Sequence, residues 1–132
     1  MAIPVRPVLV GCEFGVAGDR WPAGYHTGRD YLAAWGTPVR ATLAGVVVRA
    51  GPTPTYGLLV VVESNGIRHF YAHLSEAAVD CDAWVETGDR LGATGGDGLH
   101  YEERVAPYRY MDHRSPLFDL LEHLHKPLGR TE

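Results

Sequence analysis

Residues 56–74 read YGLLVVVESNGIRHFYAHL, two runs rich in aliphatic and aromatic side chains on either side of Asn65-Gly66. β-branched and aromatic residues favour strands. Asn-Gly accepts the positive φ angles of a two-residue hairpin turn. The two runs are therefore expected to lie side by side as antiparallel strands, and whatever the chain folds into has to be built around that hairpin. The neighbouring segments agree. PVRATLAGVVVRAG (38–51) reads as an extended segment kinked at Gly45. VETGDRLGATGG (85–96) combines a turn at Gly88-Asp89, a short strand and a glycine-rich loop, and LHYEERVA (99–106) reads as another strand. With 16 glycines and 9 prolines in 132 residues, turns are frequent, and a single mainly β domain is expected over residues 1–132 with its core at about 12–106. One helix is expected, at about 115–125: Ser115 can cap it, Pro116 suits its first position, and LFDLLEHL carries apolar residues at helical spacing. His123 and His125 then fall at its end, where histidine suits the helix dipole, and are read as terminal residues rather than ligands.

Composition removes several function classes. The formal charge of −4 gives no electrostatic reason for a nucleic-acid partner. No apolar run is long enough to cross a membrane. The only lysine, Lys126, follows the expected helix, which argues against a lipoyl or biotinyl carrier with its lysine at a hairpin tip. Ser64, Ser75 and Ser115 lack the glycine-flanked setting of a serine nucleophile. LVGC at residues 9–12 has the look of a lipoprotein cleavage site, but the apolar stretch before Cys12 is too short and carries Pro4 and Pro7. Cys12 and Cys81 form no metal-type pair and are read as two separate thiols, with a disulfide left open.

The histidines carry more information. Side chains alternate along a strand, so RHFYAHL puts His69, Tyr71 and His73 on one face and Phe70, Ala72 and Leu74 on the other. The second set is expected in the core and the first along a groove. In GLHYEE the same rule puts His100 and Glu102 together, opposite Leu99 and Tyr101. Glu102 is read as a support for a ligand histidine or as a residue of the sheet, rather than as a general acid. His26 stands four residues before Asp30 in GYHTGRDY, across Gly28. Full extension would hold their α-carbons about 13 Å apart, so a bend at Thr27-Gly28 is needed to bring them to one ion. Two histidines, one aspartate and a water would form a zinc site with one open position.

These fragments, in this order, resemble the lysostaphin-type zinc metallopeptidases, a family of peptidoglycan endopeptidases. YHTGRDYLAAWGTPVRATLAGVVV is similar to the family's H-x-x-x-D stretch and its following GTPV-like turn. YGLLVVVESNGIRHFYAHLS is similar to its hairpin ending in YAHLS, VETGDRLGATGG to its glycine-punctuated segment, and LHYE to the end of its H-L-H-F-E motif. The resemblance implies a small antiparallel, sandwich-like β-sheet with a groove across it. It implies Zn2+ held by His26, Asp30 and His100, with His73 as a catalytic histidine beside the metal. Peptidoglycan peptide is the implied substrate, and Tyr25, Tyr56, His69 and Tyr71 are candidates to line the groove. A chain read as lacking a signal peptide would reach the wall by another route, as a phage endolysin or in company with virion proteins.

One position departs from the pattern. Where the family's H-x-H motif has its first histidine, this chain has Gly98. Three accounts follow: a site working with His73 alone, a vacancy filled by Asp97, His69 or His113, or a wall-binding or structural module that keeps the groove without turnover.

Overall fold

The computed structural model describes residues 1–116, so the helix expected at about 115–125 lies almost wholly outside the described residues. The described residues contain ten strands: β1 (Val10–Cys12), β2 (Arg29–Tyr31), β3 (Pro38–Arg40), β4 (Gly45–Thr53), β5 (Gly57–Ser64), β6 (Ile67–Ala77), β7 (Trp84–Val85), β8 (Arg90–Thr94), β9 (Leu99–Val105) and β10 (His113–Arg114). They form one antiparallel sheet in the order β1-β2-β9-β6-β5-β4-β7, with β10 on β9 and with β8 linking β6 to β3. The β5–β6 hairpin is as expected, with φ of 50° at Asn65 and 80° at Gly66. The segment 38–51 is not continuous: it divides into β3 and β4, which pair with different strands.

The sheet is apolar on both faces near its centre, because β5 and β6 supply alternate side chains to each. Tyr31, Val60, Val62, Tyr71, Leu74, Leu99 and Tyr101 enter the main core. Leu59, Val61, Phe70 and Ala72 form a smaller cluster on the opposite face. The main core also encloses a polar knot. Thr42 Oγ1 meets the Tyr71 hydroxyl at 2.9 Å and the Tyr101 hydroxyl at 3.1 Å, and His69 Nδ1 meets the Tyr101 hydroxyl at 2.7 Å. Buried hydroxyls carry a desolvation cost unless paired, and here they pair with one another.

This arrangement corrects the face assignment for β6. His69 and Tyr71 are fully buried in the main core, so they do not line a groove, and Phe70 and Ala72 lie on the other face. His69 and Tyr71 pair regularly with Val62 and Val60 and share their core face, whereas His73 parts from them at a bulge. Val60 pairs with Tyr71 and Leu58 with Leu74, which leaves Leu59 opposite both Ala72 and His73. The extra residue resets the alternation. Leu74 therefore enters the same core as Tyr71, and His73 is released to the opposite face with a φ of 64°.

Candidate metal centre

The site is assembled on the outer face of β2 and β9. Asp30 pairs directly with His100, and directly opposed residues in antiparallel strands project to the same face. Leu99 and Tyr101 point into the main core, so His100 and Glu102 project outward, as the alternation predicts. His26 lies on the loop entering β2, and its Nε2 comes within 3.1 Å of Asp30 Oδ1. Gly28, between them, sits hard against β9: a Cβ there would fall 2.2 Å from the Tyr101 carbonyl oxygen. Close approach of two backbones requires this glycine, and that approach brings the His26 loop to the sheet.

The donor set fits a divalent cation. His26 Nδ1 donates to the Glu13 carbonyl at 2.9 Å, which leaves Nε2 facing the Asp30 carboxylate. His100 Nε2 donates to Glu102 Oε1 at 3.0 Å, and its Nδ1 faces Asp30 Oδ1 at 2.7 Å. Both rings thus have an acceptor at each nitrogen and converge on one carboxylate oxygen. A positive charge has to lie between them, supplied by protons or by a metal. Without metal the charge is a proton on His100. Burial opposes it, but hydrogen bonds to Asp30 and Glu102 outweigh burial and push this histidine up to about 9. Asp30 responds in the other direction: burial works to raise it, yet the His100 hydrogen bond and the nearby imidazoles hold it below the usual carboxylate value.

Cys12 comes close to two of these residues, which the sequence did not suggest. One donor atom each from Cys12, His26 and Asp30 lie within 4.8 Å of one another. His100 lies outside that trio and meets it at Asp30 Oδ1.

Behind His100, Glu102 is a fully buried carboxylate surrounded by donors. Thr27 Oγ1 donates at 2.8 Å, the Tyr56 hydroxyl at 3.0 Å and Arg104 Nε at 2.9 Å. His113 Nε2 lies 3.2 Å away. Desolvation would raise its pKa, but its hydrogen bonds with His100 and His113, with the charge of Arg104, hold it far below the usual carboxylate range. Glu102 is therefore ionised and holds the His100 ring in one orientation. Partners of this kind typically affect metal affinity by about 10–100-fold. If the centre takes a metal, Glu102→Gln is expected to weaken its binding by that factor in a competition titration against a chromophoric chelator, and an unchanged affinity would show that the carboxylate does not orient the ring.

His26, Asp30, His73 and His100 border one open cavity of about 320 Å³, with Tyr56, Asp97, Trp21, Pro22 and Tyr110 around it. The His73 and His100 ring centroids are 6.0 Å apart. His73 is pinned by its backbone, with its N–H donating to the Tyr56 carbonyl and its own carbonyl accepting from Gly95, each at 2.9 Å. Tyr56 does reach the cavity, as expected, with its ring stacked 5.8 Å from His100. Tyr25 does not border it; its hydroxyl meets His113 Nδ1 at 2.8 Å. Of the three candidates for the position left by Gly98, Asp97 borders the cavity. His69 is on the other face of the sheet, and His113 is buried against Glu102 and Tyr25. Trp21, Pro22 and Tyr110 come from loops that carry no periodicity, and no sequence signal marked them.

Known proteins resemble the chain as a whole. The model of Peptidase family M23 matches residues 24–113. The DD-carboxypeptidase/endopeptidase Mpg of Neisseria meningitidis serogroup B is 41% identical over 87 residues, covering 61% of this chain and 20% of that protein. The chain thus spans about a fifth of that curated relative's length. The solved catalytic domain of the antimicrobial peptidase lysostaphin from Staphylococcus simulans superposes with a TM-score of 0.78 at 27% identity, covering 86% of this chain and 92% of that one. A zinc containing peptidase from Vibrio cholerae superposes with a TM-score of 0.70 at 26% identity, over 77% of this chain and 35% of that one. With the family's model running from the loop before His26 through His113, the chain belongs to peptidase family M23.

Proposed function

We propose that this protein is a zinc-dependent endopeptidase that hydrolyses peptide bonds in the stems or cross-bridges of peptidoglycan, acting on the bacterial wall as a phage endolysin or a virion-associated hydrolase. The observation that carries the reading is the convergence of His26 Nε2 and His100 Nδ1 on Asp30 Oδ1, with the outer nitrogen of each ring occupied by an acceptor. Those three residues would hold the metal. Similarity to the zinc containing peptidase supports the metal, similarity to Mpg supports endopeptidase activity, and similarity to the peptidoglycan DD-endopeptidase ShyA of Vibrio cholerae, 37% identical over 84 residues, supports the substrate class.

Bound zinc supplies Lewis-acid polarisation of the scissile carbonyl and a lowered pKa for the attacking water. The protein's own residues do the rest. Glu102 keeps the proton on His100 Nε2 and so presents Nδ1 to the centre. His73 faces the same cavity, and its pKa is lowered, first by burial and, in the metal-free protein, by the charge of His100. A neutral imidazole at that place can take a proton from the nucleophile and return it to the leaving amine. Trp21, Pro22 and Tyr110 give the cavity apolar walls against which an extended peptide can lie.

Digestion of purified cell walls and of defined cross-linked peptides tests the proposal. New amino and carboxyl termini are expected, lost on chelation and recovered on adding zinc. Zinc-loaded protein that binds walls but releases no product would replace this reading with that of a non-catalytic wall-binding or structural module. The absence of an imidazole at Gly98 is the observation that favours that second reading.

A further inference from the structure

We propose that Cys12 Sγ is a further protein ligand of the metal at this centre, so that in the resting protein a thiolate occupies the position that a three-ligand site would leave open. The inference rests on the metal-centre reading above and adds a regulated state to it.

The position of Cys12 follows from a bulge in the edge strand. Val10 pairs with Tyr31, and in regular pairing Cys12 would fall opposite Arg29. Instead it falls opposite Asp30, with Gly11 as the extra residue. Arg29 and Tyr31 share the other face of β2, where Arg29 Nη1 donates to the Tyr31 hydroxyl. Regular pairing would have turned the thiol to that face, and the bulge turns it to the face of Asp30. Bulges beside functional sites commonly re-aim one side chain in this way. The result is a sulfur, an imidazole nitrogen and a carboxylate oxygen within 4.8 Å of one another. Its immediate polar neighbours, the Glu13 carbonyl and Arg20 Nη2, are each 3.9 Å from the sulfur, so among the described residues no short hydrogen bond holds it elsewhere.

Thiolate, imidazole and carboxylate are all established zinc donors. On coordination the Cys12 thiol gives its proton to solvent and a sulfur–metal bond forms. A substrate carbonyl or water can then occupy that position only after the sulfur leaves. Because β1 is a three-residue edge strand, that release needs no rearrangement of the central sheet.

Cobalt(II) is the probe, since thiolate coordination gives it a near-ultraviolet charge-transfer band in addition to the visible ligand-field bands of any tetrahedral site. The wild type and Cys81→Ser are expected to show both, and Cys12→Ser only the visible bands. Visible bands without the charge-transfer band in the wild type would overturn the thiolate while leaving the metal centre intact. Absence of both would overturn the metal centre and the thiolate with it. A second measurement needs no variant: metal loading is expected to abolish alkylation of Cys12 by iodoacetamide and leave the exposed Cys81 reactive, whereas undiminished labelling of Cys12 would overturn the proposal.

Discussion

On the proposed function, Asp30→Ala is expected to lose metal binding and wall hydrolysis together while keeping its fold. The β2–β9 pairing that carries Asp30 is made by backbone groups and does not depend on its carboxylate. That carboxylate is, however, the one atom group both imidazoles approach. Its removal takes a ligand from the centre rather than a ligand's support, so the loss of affinity should exceed the roughly 10–100-fold typical of a supporting partner. Metal analysis after dialysis and a wall-turbidity assay report the two losses, and full metal content in the variant would exclude Asp30 as a ligand.

The same variant has a pH signature in the metal-free state. Asp30 has a depressed pKa in the fold, so its contribution is present above the unfolded value of about 3.9 and is lost as pH falls through the folded value. His100 has a raised one, so its contribution is complete below about 6.5 and disappears as pH rises through about 9. The stability difference between wild type and Asp30→Ala should therefore be greatest between about pH 4 and 6.5 and fade above it. Thermal melts across that range would reveal it. A difference that does not vary with pH would show that the pair is not ionised as described.

Gly98→His, which would supply an imidazole where the resemblance expects one, is expected to unfold or severely destabilise the protein instead of enhancing it. Gly98 has a φ of 80°, and a Cβ there would lie 2.0 Å from the Tyr31 carbonyl oxygen and 3.2 Å from the Ala33 nitrogen. Left-handed strain of about 1–3 kcal/mol adds to overpacking of about 1–3 kcal/mol, a large share of the roughly 5–15 kcal/mol that holds a domain together. Chemical denaturation would measure it. A stable Gly98→His protein with increased turnover would mean that this turn rearranges readily and that the missing imidazole had been the limiting group. The contrast with Asp97 follows: the residue beside Gly98 borders the cavity without needing the turn to change.

Much of this was legible in the chain because it depends on local rules. Asn65-Gly66 specifies a hairpin whatever surrounds it, and Leu99, His100, Tyr101 and Glu102 alternate in a regular strand, so their faces could be read directly. His69, Tyr71 and His73 defeated the same rule. A single extra residue at Ala72-His73 inverts everything beyond it, and nothing in the composition of YAHL announces a bulge. Cys12 escaped for the same reason, since Gly11 displaces it by one position. Gly28 was legible as a residue where only glycine would do: the chain bends there as expected, and contact with the Tyr101 backbone, which the sequence did not show, is what excludes a side chain. Trp21, Pro22 and Tyr110 lie on loops, whose placement depends on what they pack against.

Because Asp30 and His100 occupy one step of a hydrogen-bonded ladder, the spacing of two of the three principal donors is decided by the geometry of paired strands and not by the loops around them. Folding therefore completes most of the work of assembling the centre before any ion arrives. Insertions or exchanges in the surrounding loops can reshape the cavity walls while the spacing of Asp30 and His100 stays in place.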